Sequence, residues 1–540
     1  MNLSSLKKSS LLLPALAVLI AASAGVAMAD VQLPSIISDH MVLKKGPAIP
    51  IWGKAEPGEA VKVTLGDASA KATADSSGKW ITSLDLSESK AGPFTLNIAG
   101  KNQIAVNDVL VGEVWLASGQ SNMAMMLDAT IDAEKEIANS ANQQIRQFRV
   151  ERTEAAEPAD NCKGAWTVAG PETAPKFSAV AYFFAKRLNK ELGRPVGIIN
   201  SSVGGTPCEA WTSPQAIDTV PHLKQARETA LNALKNPEPP VAAKKGARRK
   251  PGRSHSEPSC LFNGMINPVI PYALSGAIWY QGEANAPRAW QYRTAFPLMI
   301  TDWRTQWKQG DFPFYFCQLA NFDKNNLPDL ADSPWAELRE AQSMALKLPN
   351  TGQSVLIDVG EKGDIHPRNK QTPGDRLAII ALANKYGRKI PFSGPVFQSK
   401  KIEGDKIRLK FSHTDGGLVA KPLPDTINVK SMDKKTGKGI TEPLVRKSPN
   451  SELEGFAIRG EDKTWVWADA KIDGDSVVVW SDKVPKPVDV RYAWADYPVC
   501  NLYNKADLPA CPFRTDEDPA VTRDVLYGSS PGLPSVQPAE

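Results

Sequence analysis

Four apolar runs in the middle of the chain each break off at small or polar residues, and this repetition constrains the fold more than any other feature. "VWLA" (114–117) runs into Ser118-Gly119-Gln120-Ser121-Asn122-Met123, and "VGII" (196–199) into "NSSVGGTP". "GAIWY" (276–280) ends at Gln281-Gly282-Glu283, and "SVLIDV" (354–359) leads into "GEKGDIHP". Helical patterns separate the runs. In "SAVAYFFAKRLNKELGRP", Val180, Phe183, Phe184, Leu188 and Leu192 fall on one stripe before Gly193 and Pro195 stop it. A later helix is expected from Thr372-Pro373-Gly374-Asp375 through "RLAIIALANKY" to Gly387, with Pro at its first position and an acid at its third. Apolar strands alternating with helices predict a doubly wound parallel sheet. The carboxyl ends of such strands converge on one crevice, where open α/β sheets place their reacting groups.

That α/β stretch, 111–392, accounts for part of the 540 residues, and a chain of this length divides into about three domains. Residues 30–110 read as β: "PIWGKAEPGEAVKVTLGD" and "SGKWITSLDL" carry short strand-like runs between Gly, Pro, Asp and Ser turns, which fits a small sandwich. His40, in its opening turn, reads as a hydrogen-bonded structural histidine. Residues 393–515 are β-rich again, with "KIRLKFSH" and "DSVVVWS", and 516–540 read as a poorly ordered tail. At the other end, Lys7 and Lys8 precede a long apolar stretch that exits through Ala27-Met28-Ala29. Residues 1–29 are therefore expected to be a secretory signal peptide, with an uncleaved anchor as the other reading. The expected location is periplasmic or extracellular, with no stable membrane insertion after the signal is removed.

Charge and cysteine usage narrow the partners. The formal net charge is +5, and without Lys7 and Lys8 it is +3. "VAAKKGARRKPGR" alone holds six basic residues and no acid, so the rest of the chain is acidic by three. The basicity is one local insert, 236–259, flanked by prolines and expected to be a flexible surface loop. It does not spread over a face, and no nucleic-acid partner is expected. The six cysteines include no C-x-x-C pair, so no structural metal is expected; nor does the sequence show a cofactor motif. In an exported protein, Cys500 and Cys511 are expected to close the short loop "CNLYNKADLPAC" with a disulfide.

The strand ends hold a set of groups suited to acyl transfer, which needs a hydroxyl, a base within its reach, an acid orienting that base and donors for an oxyanion. Ser121 is the candidate nucleophile; a helix N-cap is the competing reading. Gly204 and Gly205 follow the second run and serve either as oxyanion-binding backbone or as a tight turn. Gln281 and Glu283 follow the third run, and Asp364 and His366 the fourth. The α/β-hydrolase elbow fits poorly, because Ser121 sits in Gly-Gln-Ser-Asn-Met rather than G-x-S-x-G. His222, His255 and His413 lie outside these segments, and Trp115, Trp279 and Trp335 read as packing residues rather than sugar platforms.

In combination, "GQSNM", "SSVGGTPCEAWTS", "FNGMINP", "GAIWYQGEANA", "WAELREAQ", "DIHPRNKQ" and "YAWADYPVCNLYN" resemble the sialate O-acetylesterase family of SGNH-type carbohydrate esterases, from about residue 31 to about 515. The resemblance implies a flavodoxin-like three-layer α/β/α catalytic domain flanked by β-domains, and serine-dependent removal of O-acetyl groups from carbohydrates. Matched residue by residue, Ser121 is the nucleophile and His366 the general base. The backbone N–H groups of Ser121 and of Gly204 or Gly205 would line the oxyanion hole, with the Gln281 side-chain amide as third donor. The chain departs from the pattern at Gly363, where relatives with the usual SGNH ending carry the orienting Asp. Asp364 is then expected to carry that role more than Glu283, and Arg339 and Gln342 are candidates to reach substrate. The implied substrate is an O-acetylated sugar or glycan. Acetylxylan or pectin-type acetate, and a carbohydrate-binding protein without activity, are the alternatives.

Overall fold

The computed structural model describes residues 30–235, 253–323, 330–433 and 435–528. The expected signal peptide and most of the basic insert (236–252) lie outside these residues. The central sheet contains β1 (Gln103–Gly119), β2 (Asn142–Val150), β3 (Gly164–Ala169), β4 (Val196–Ser202), β5 (Gly276–Tyr280), β6 (Phe314–Cys317) and β7 (Thr351–Ser354). Their spatial order is β7-β6-β5-β1-β4-β2-β3. Every neighbouring pair is parallel except β2 and β3. From β1 the chain runs to β2 and the edge strand β3, returns through β4 beside β1, and then crosses to β5 on the other side, so β1 is the switch point at which an open α/β sheet forms its crevice.

Side-chain alternation along β1 and β5 builds both outer layers. Trp115, Ala117, Ile278 and Tyr280 join the buried cluster beneath α1 (Ala179–Leu192) and α4 (Gln371–Asn384). Val114, Leu116, Ala277 and Trp279 join the opposite cluster, which takes in α2 (Ala289–Trp307) and α3 (Pro334–Met344). Strands apolar on both faces are what a parallel sheet covered by helices requires. The α1 stripe is buried as expected, with Ser178 accepting from the Ala181 N–H at its start and Gly193 left-handed (φ 62°) at its end. In α4 the cap differs. The helix begins at Gln371, and the Asn369 side chain accepts from the Thr372 N–H at 3.0 Å.

β1 is also the last strand of the N-terminal β region, pairing through its first half with Phe94–Ala99 and continuing unbroken into the α/β sheet. Val63, Ile98 and Trp80 accordingly belong to the same buried cluster as Val114 and Trp279. In that region His40 is held by Asp108 at 2.7 Å through Nδ1. The C-terminal β region has a core of its own, built on Lys406–Ser412, Ser476–Trp480, Phe456–Arg459 and Asp489–Tyr492.

Four sequence expectations change here. "SVLIDV" is a strand only to Ser354, because Val355 and Ile357 leave the sheet to enter the C-terminal core. Residues 516–528 are not a loose tail: Asp516 pairs with Arg491 at 2.8 Å, and Glu337 of α3 accepts from the N–H groups of Val521 and Thr522. The end of the basic insert is fixed too, with Ser259 buried and its N–H on the Glu209 carbonyl at 3.0 Å. Finally, Cys500 and Cys511 are not joined by the expected bridge. The Cys511 sulfur instead sits 3.4–3.6 Å from Gln353, Ser343 and Gln318.

Candidate active site

The turn that carries Ser121 is shaped by a backbone crossing. Gly119 has φ +134°, and a Cβ there would stand 2.2 Å from the Tyr280 carbonyl oxygen, so only glycine fits between β1 and β5. Gln120 continues the contact, its N–H donating to the same carbonyl at 3.0 Å. Its side-chain oxygen accepts from the Ala284 N–H at 3.2 Å, joining this turn to the loop after β5. Ser121 then opens a single helical turn with its side chain partly exposed.

His366 arrives on the loop after β7, and its Nε2 lies 2.8 Å from Ser121 Oγ. The two residues are separated by 245 positions and meet at hydrogen-bond distance in the crevice, as a hydroxyl and its base must. Burial pushes the imidazole below its ordinary value. Asp364 pulls it back up and the Lys370 cation adds to the depression, so His366 is neutral, the proton-accepting form, at neutral pH.

The structure separates the two acids. Asp364 Oδ1 accepts from the His366 backbone N–H at 3.0 Å, and the same oxygen is 3.8 Å from Nδ1, outside hydrogen-bond range. At that separation it can act on the imidazole only through its charge, and it fixes the local backbone. Glu283 does not face the imidazole: its Oε1 accepts from Asn122 Nδ2 at 2.5 Å, and burial raises its carboxyl above the usual range. Gly363 is explained as well. A Cβ there would lie 3.0 Å from Val429 Cγ1 and 3.3 Å from the Val429 oxygen, so any side chain at that place must displace Val429 by a few tenths of an ångström.

Gly204 runs directly against Ser121, since a Cβ on it would be 3.3 Å from Ser121 Cβ. Gly205 is left-handed at φ +75°. Among the described residues no hydrogen bond engages the N–H groups of Ser121, Gly204 or Gly205, and these are the donors available to an oxyanion. Gln281 is not one of them. Its amide nitrogen donates to the Thr206 carbonyl at 3.1 Å and to Asn285 Oδ1 at 2.7 Å, while Tyr292 donates to its oxygen at 2.9 Å. Fully buried and fully engaged, it braces the turn after Gly205 from behind. Arg339 and Gln342 are likewise withdrawn from substrate. The Arg339 guanidinium donates to the carbonyls of Leu319, Ala320, Ala495 and Asp496, and Gln342 spans Leu319, Gln281 and Cys317.

Sequence reasoning missed Asn122 and Lys370. Lys370 is fully buried, and its ammonium donates to Asn122 Oδ1 at 2.8 Å. A lysine within "NKQ" at a helix start reads as solvent-exposed; only the fold reveals that it points inward.

Sheet, switch point and Ser–His geometry together define a class: a carboxylic ester hydrolase on an SGNH-type α/β/α fold. Comparison with known proteins narrows the class. A family profile described as carbohydrate esterase, sialic acid-specific acetylesterase, matches residues 111–235 and 259–378. The chain belongs to the sialate O-acetylesterase family of carbohydrate esterases. It is 31% identical to the sialate O-acetylesterase of Mus musculus, over 89% of this chain and 94% of that protein. Against the Rattus norvegicus enzyme the identity is 33%, with the same coverage. A crystal structure of a carbohydrate acetylesterase from Xanthomonas citri superimposes with a TM-score of 0.76 at 35% identity, over 90% of this chain and all of that one.

Proposed function

We propose that the protein is an exported serine esterase that removes acetyl groups from O-acetylated sialic acid through an acetyl-enzyme on Ser121. The observation that carries this reading is the 2.8 Å contact between Ser121 Oγ and His366 Nε2 beside free backbone donors. In the first half-reaction Ser121 Oγ attacks the acetyl carbonyl carbon while His366 Nε2 takes the hydroxyl proton. The tetrahedral oxyanion is met by the N–H groups of Ser121 and Gly204. As the ester C–O bond breaks, the imidazolium returns that proton to the departing sugar oxygen. A water molecule, deprotonated by the same nitrogen, then attacks the acetyl-serine, releasing acetate and restoring Ser121. Sialic acid as the leaving alcohol rests on the names of the mammalian relatives, and export rests on residues 7–29.

The deciding measurement is acetate release from O-acetylated sialic acids, acetylxylan and pectin acetate by the wild type and by Ser121→Ala. The wild type is expected to favour the sialic acid ester, with Ser121→Ala reduced in kcat by about 10⁴-fold or more. Undiminished turnover by Ser121→Ala ends the nucleophile assignment. Preference for acetylxylan moves the substrate to a plant polysaccharide.

A further inference from the structure

Two backbone carbonyls flank His366, and both are held by one buried polar chain. The carbonyl of Ile365 accepts from Asn122 Nδ2 at 3.0 Å, and that of Pro367 accepts from Lys370 Nζ. Lys370 Nζ also donates to Asn122 Oδ1 at 2.8 Å, and the second N–H of Asn122 Nδ2 goes to Glu283 Oε1 at 2.5 Å. The side chain of Asn122, the residue next to Ser121, is thereby saturated: its oxygen takes the ammonium, and its two N–H groups take the loop and the acid. Lys370 is fully buried, with Nζ 5.7 Å from the centre of the Tyr280 ring. Glu283 is the acid that offsets its charge, and Glu283 Oε2 finds no partner among the described residues.

From this geometry we infer that Lys370 is a positioning residue for the esterase, clamping the chain on both sides of His366 to the residue next to Ser121 and presenting a fixed cation to the imidazole. The inference rests on the Ser121–His366 reading above. A buried ammonium is a costly group to retain unless it is hydrogen-bonded and counter-charged, and here Asn122 Oδ1 and the Pro367 carbonyl accept from it while Glu283 supplies the opposing charge. Lys370 does two things. Through the Pro367 carbonyl directly, and through Asn122 to the Ile365 carbonyl, it sets the height of the His366 loop over the turn that carries Ser121. Through its charge it opposes protonation of the imidazole, in the direction opposite to Asp364.

The groups that face each partner fix the pH dependence. His366 meets Asp364, Lys370 and Ser121, while Lys370 meets Glu283, Glu361, Asp364 and the Cys317 thiol. Burial brings the Lys370 ammonium down to about 8 against the pull of Glu283. Catalysis should therefore lose the clamp on the alkaline side as well as the base on the acid side.

The test compares pH profiles of kcat/KM for p-nitrophenyl acetate in the wild type, Lys370→Met, Lys370→Arg and Glu283→Gln, with thermal unfolding measured alongside. Lys370→Met is expected to lose about 10²-fold in kcat/KM. Its acid limb should move up by about one pH unit, since a neighbouring cation has been removed from the imidazole. Lys370→Arg, which keeps the charge, should hold the acid limb near the wild-type position. Glu283→Gln strips the ammonium of its counter-charge, so its alkaline limb should move to lower pH. A folded Lys370→Met with both limbs unmoved overturns the inference. If that variant does not fold, an unmoved alkaline limb in Glu283→Gln does the same. Failure of the esterase reading itself is distinguished by an active Ser121→Ala.

Discussion

At the scale of single residues, the orienting acid is the point at which this site departs from a tight triad. Asp364 accepts a hydrogen bond from the His366 backbone N–H and stands 3.8 Å from Nδ1. A triad Asp replaced by Asn costs about 10⁴-fold, because the amide locks the imidazole in the wrong tautomer. Without a bond to Nδ1 that lock cannot operate, so Asp364→Asn should lose only about 10²-fold in kcat. The pH response has a definite sign. Burial and Lys370 hold His366 below its ordinary 6.5, against the upward pull of Asp364. Wild-type kcat/KM should thus fall off only below pH 6.5, and Asp364→Asn, lacking the anion, should keep its smaller activity to still lower pH. A pH series of kcat and kcat/KM with one acetyl ester checks both statements. A 10⁴-fold loss would show that the carboxylate closes onto Nδ1 during turnover.

At the scale of elements, the loop that delivers His366 is held like a strand. The N–H groups of Lys362 and Gly363 donate to the carbonyls of Asn428 and Val429, at 2.8 and 2.9 Å, along the strand Thr426–Lys430. Gly363 is thus pressed against Val429, and Gly363→Ala should push the loop off its register and cost about tenfold in kcat/KM. Val429→Ala removes the methyl that a Cβ would strike, so the double variant should recover most of the loss. Two contacting sites are expected to couple in this way. Simple additivity of the two effects would place the cause elsewhere. The sequence made three strand ends legible, because the apolar runs of β1, β4 and β5 stop where polar residues begin, and Ser121 and Gly204 were readable for that reason. The fourth strand ends at Ser354, inside its apolar run, and Asp364 and His366 follow on a longer loop. Gln281 was misread as an oxyanion donor because a strand-end amide carries no local sign of which way it points. Its engagement with Thr206, Asn285 and Tyr292 depends on three separate segments meeting. Lys370 and the pairing of Gly363 with Val429 were invisible for the same reason: each depends on chain brought from 60 or more positions away.

At the scale of the whole molecule, the C-terminal β region is part of the machinery that places the base. Glu361 is almost fully buried, and its carboxylate accepts from the Ser431 N–H at 2.6 Å, from the Ser431 hydroxyl and from the Arg368 N–H at 2.8 Å. One side chain therefore fastens the start of the catalytic loop, its far side beyond His366, and the C-terminal hairpin to one another. Arg339 makes a second tie from α3, donating to the carbonyls of Ala495 and Asp496. Val355 and Ile357 make a third, since the chain between β7 and the loop is buried in the C-terminal core. Removing the Glu361 carboxylate leaves two backbone donors and a hydroxyl unpaired in a closed space, at about 1–3 kcal/mol for each donor left unsatisfied. Glu361→Ala should lower the thermal midpoint and reduce kcat/KM, because the loop then samples positions in which His366 Nε2 is out of reach of Ser121. Glu361→Gln keeps one acceptor oxygen and should fall between the two. Labelling of Ser121 by a serine-reactive phosphonate should slow in step with kcat/KM across the series, since both report the same Ser–His contact. If Glu361→Ala lost stability but labelled at the wild-type rate, the C-terminal region would be a stabilising appendage and His366 would be held by the α/β domain alone.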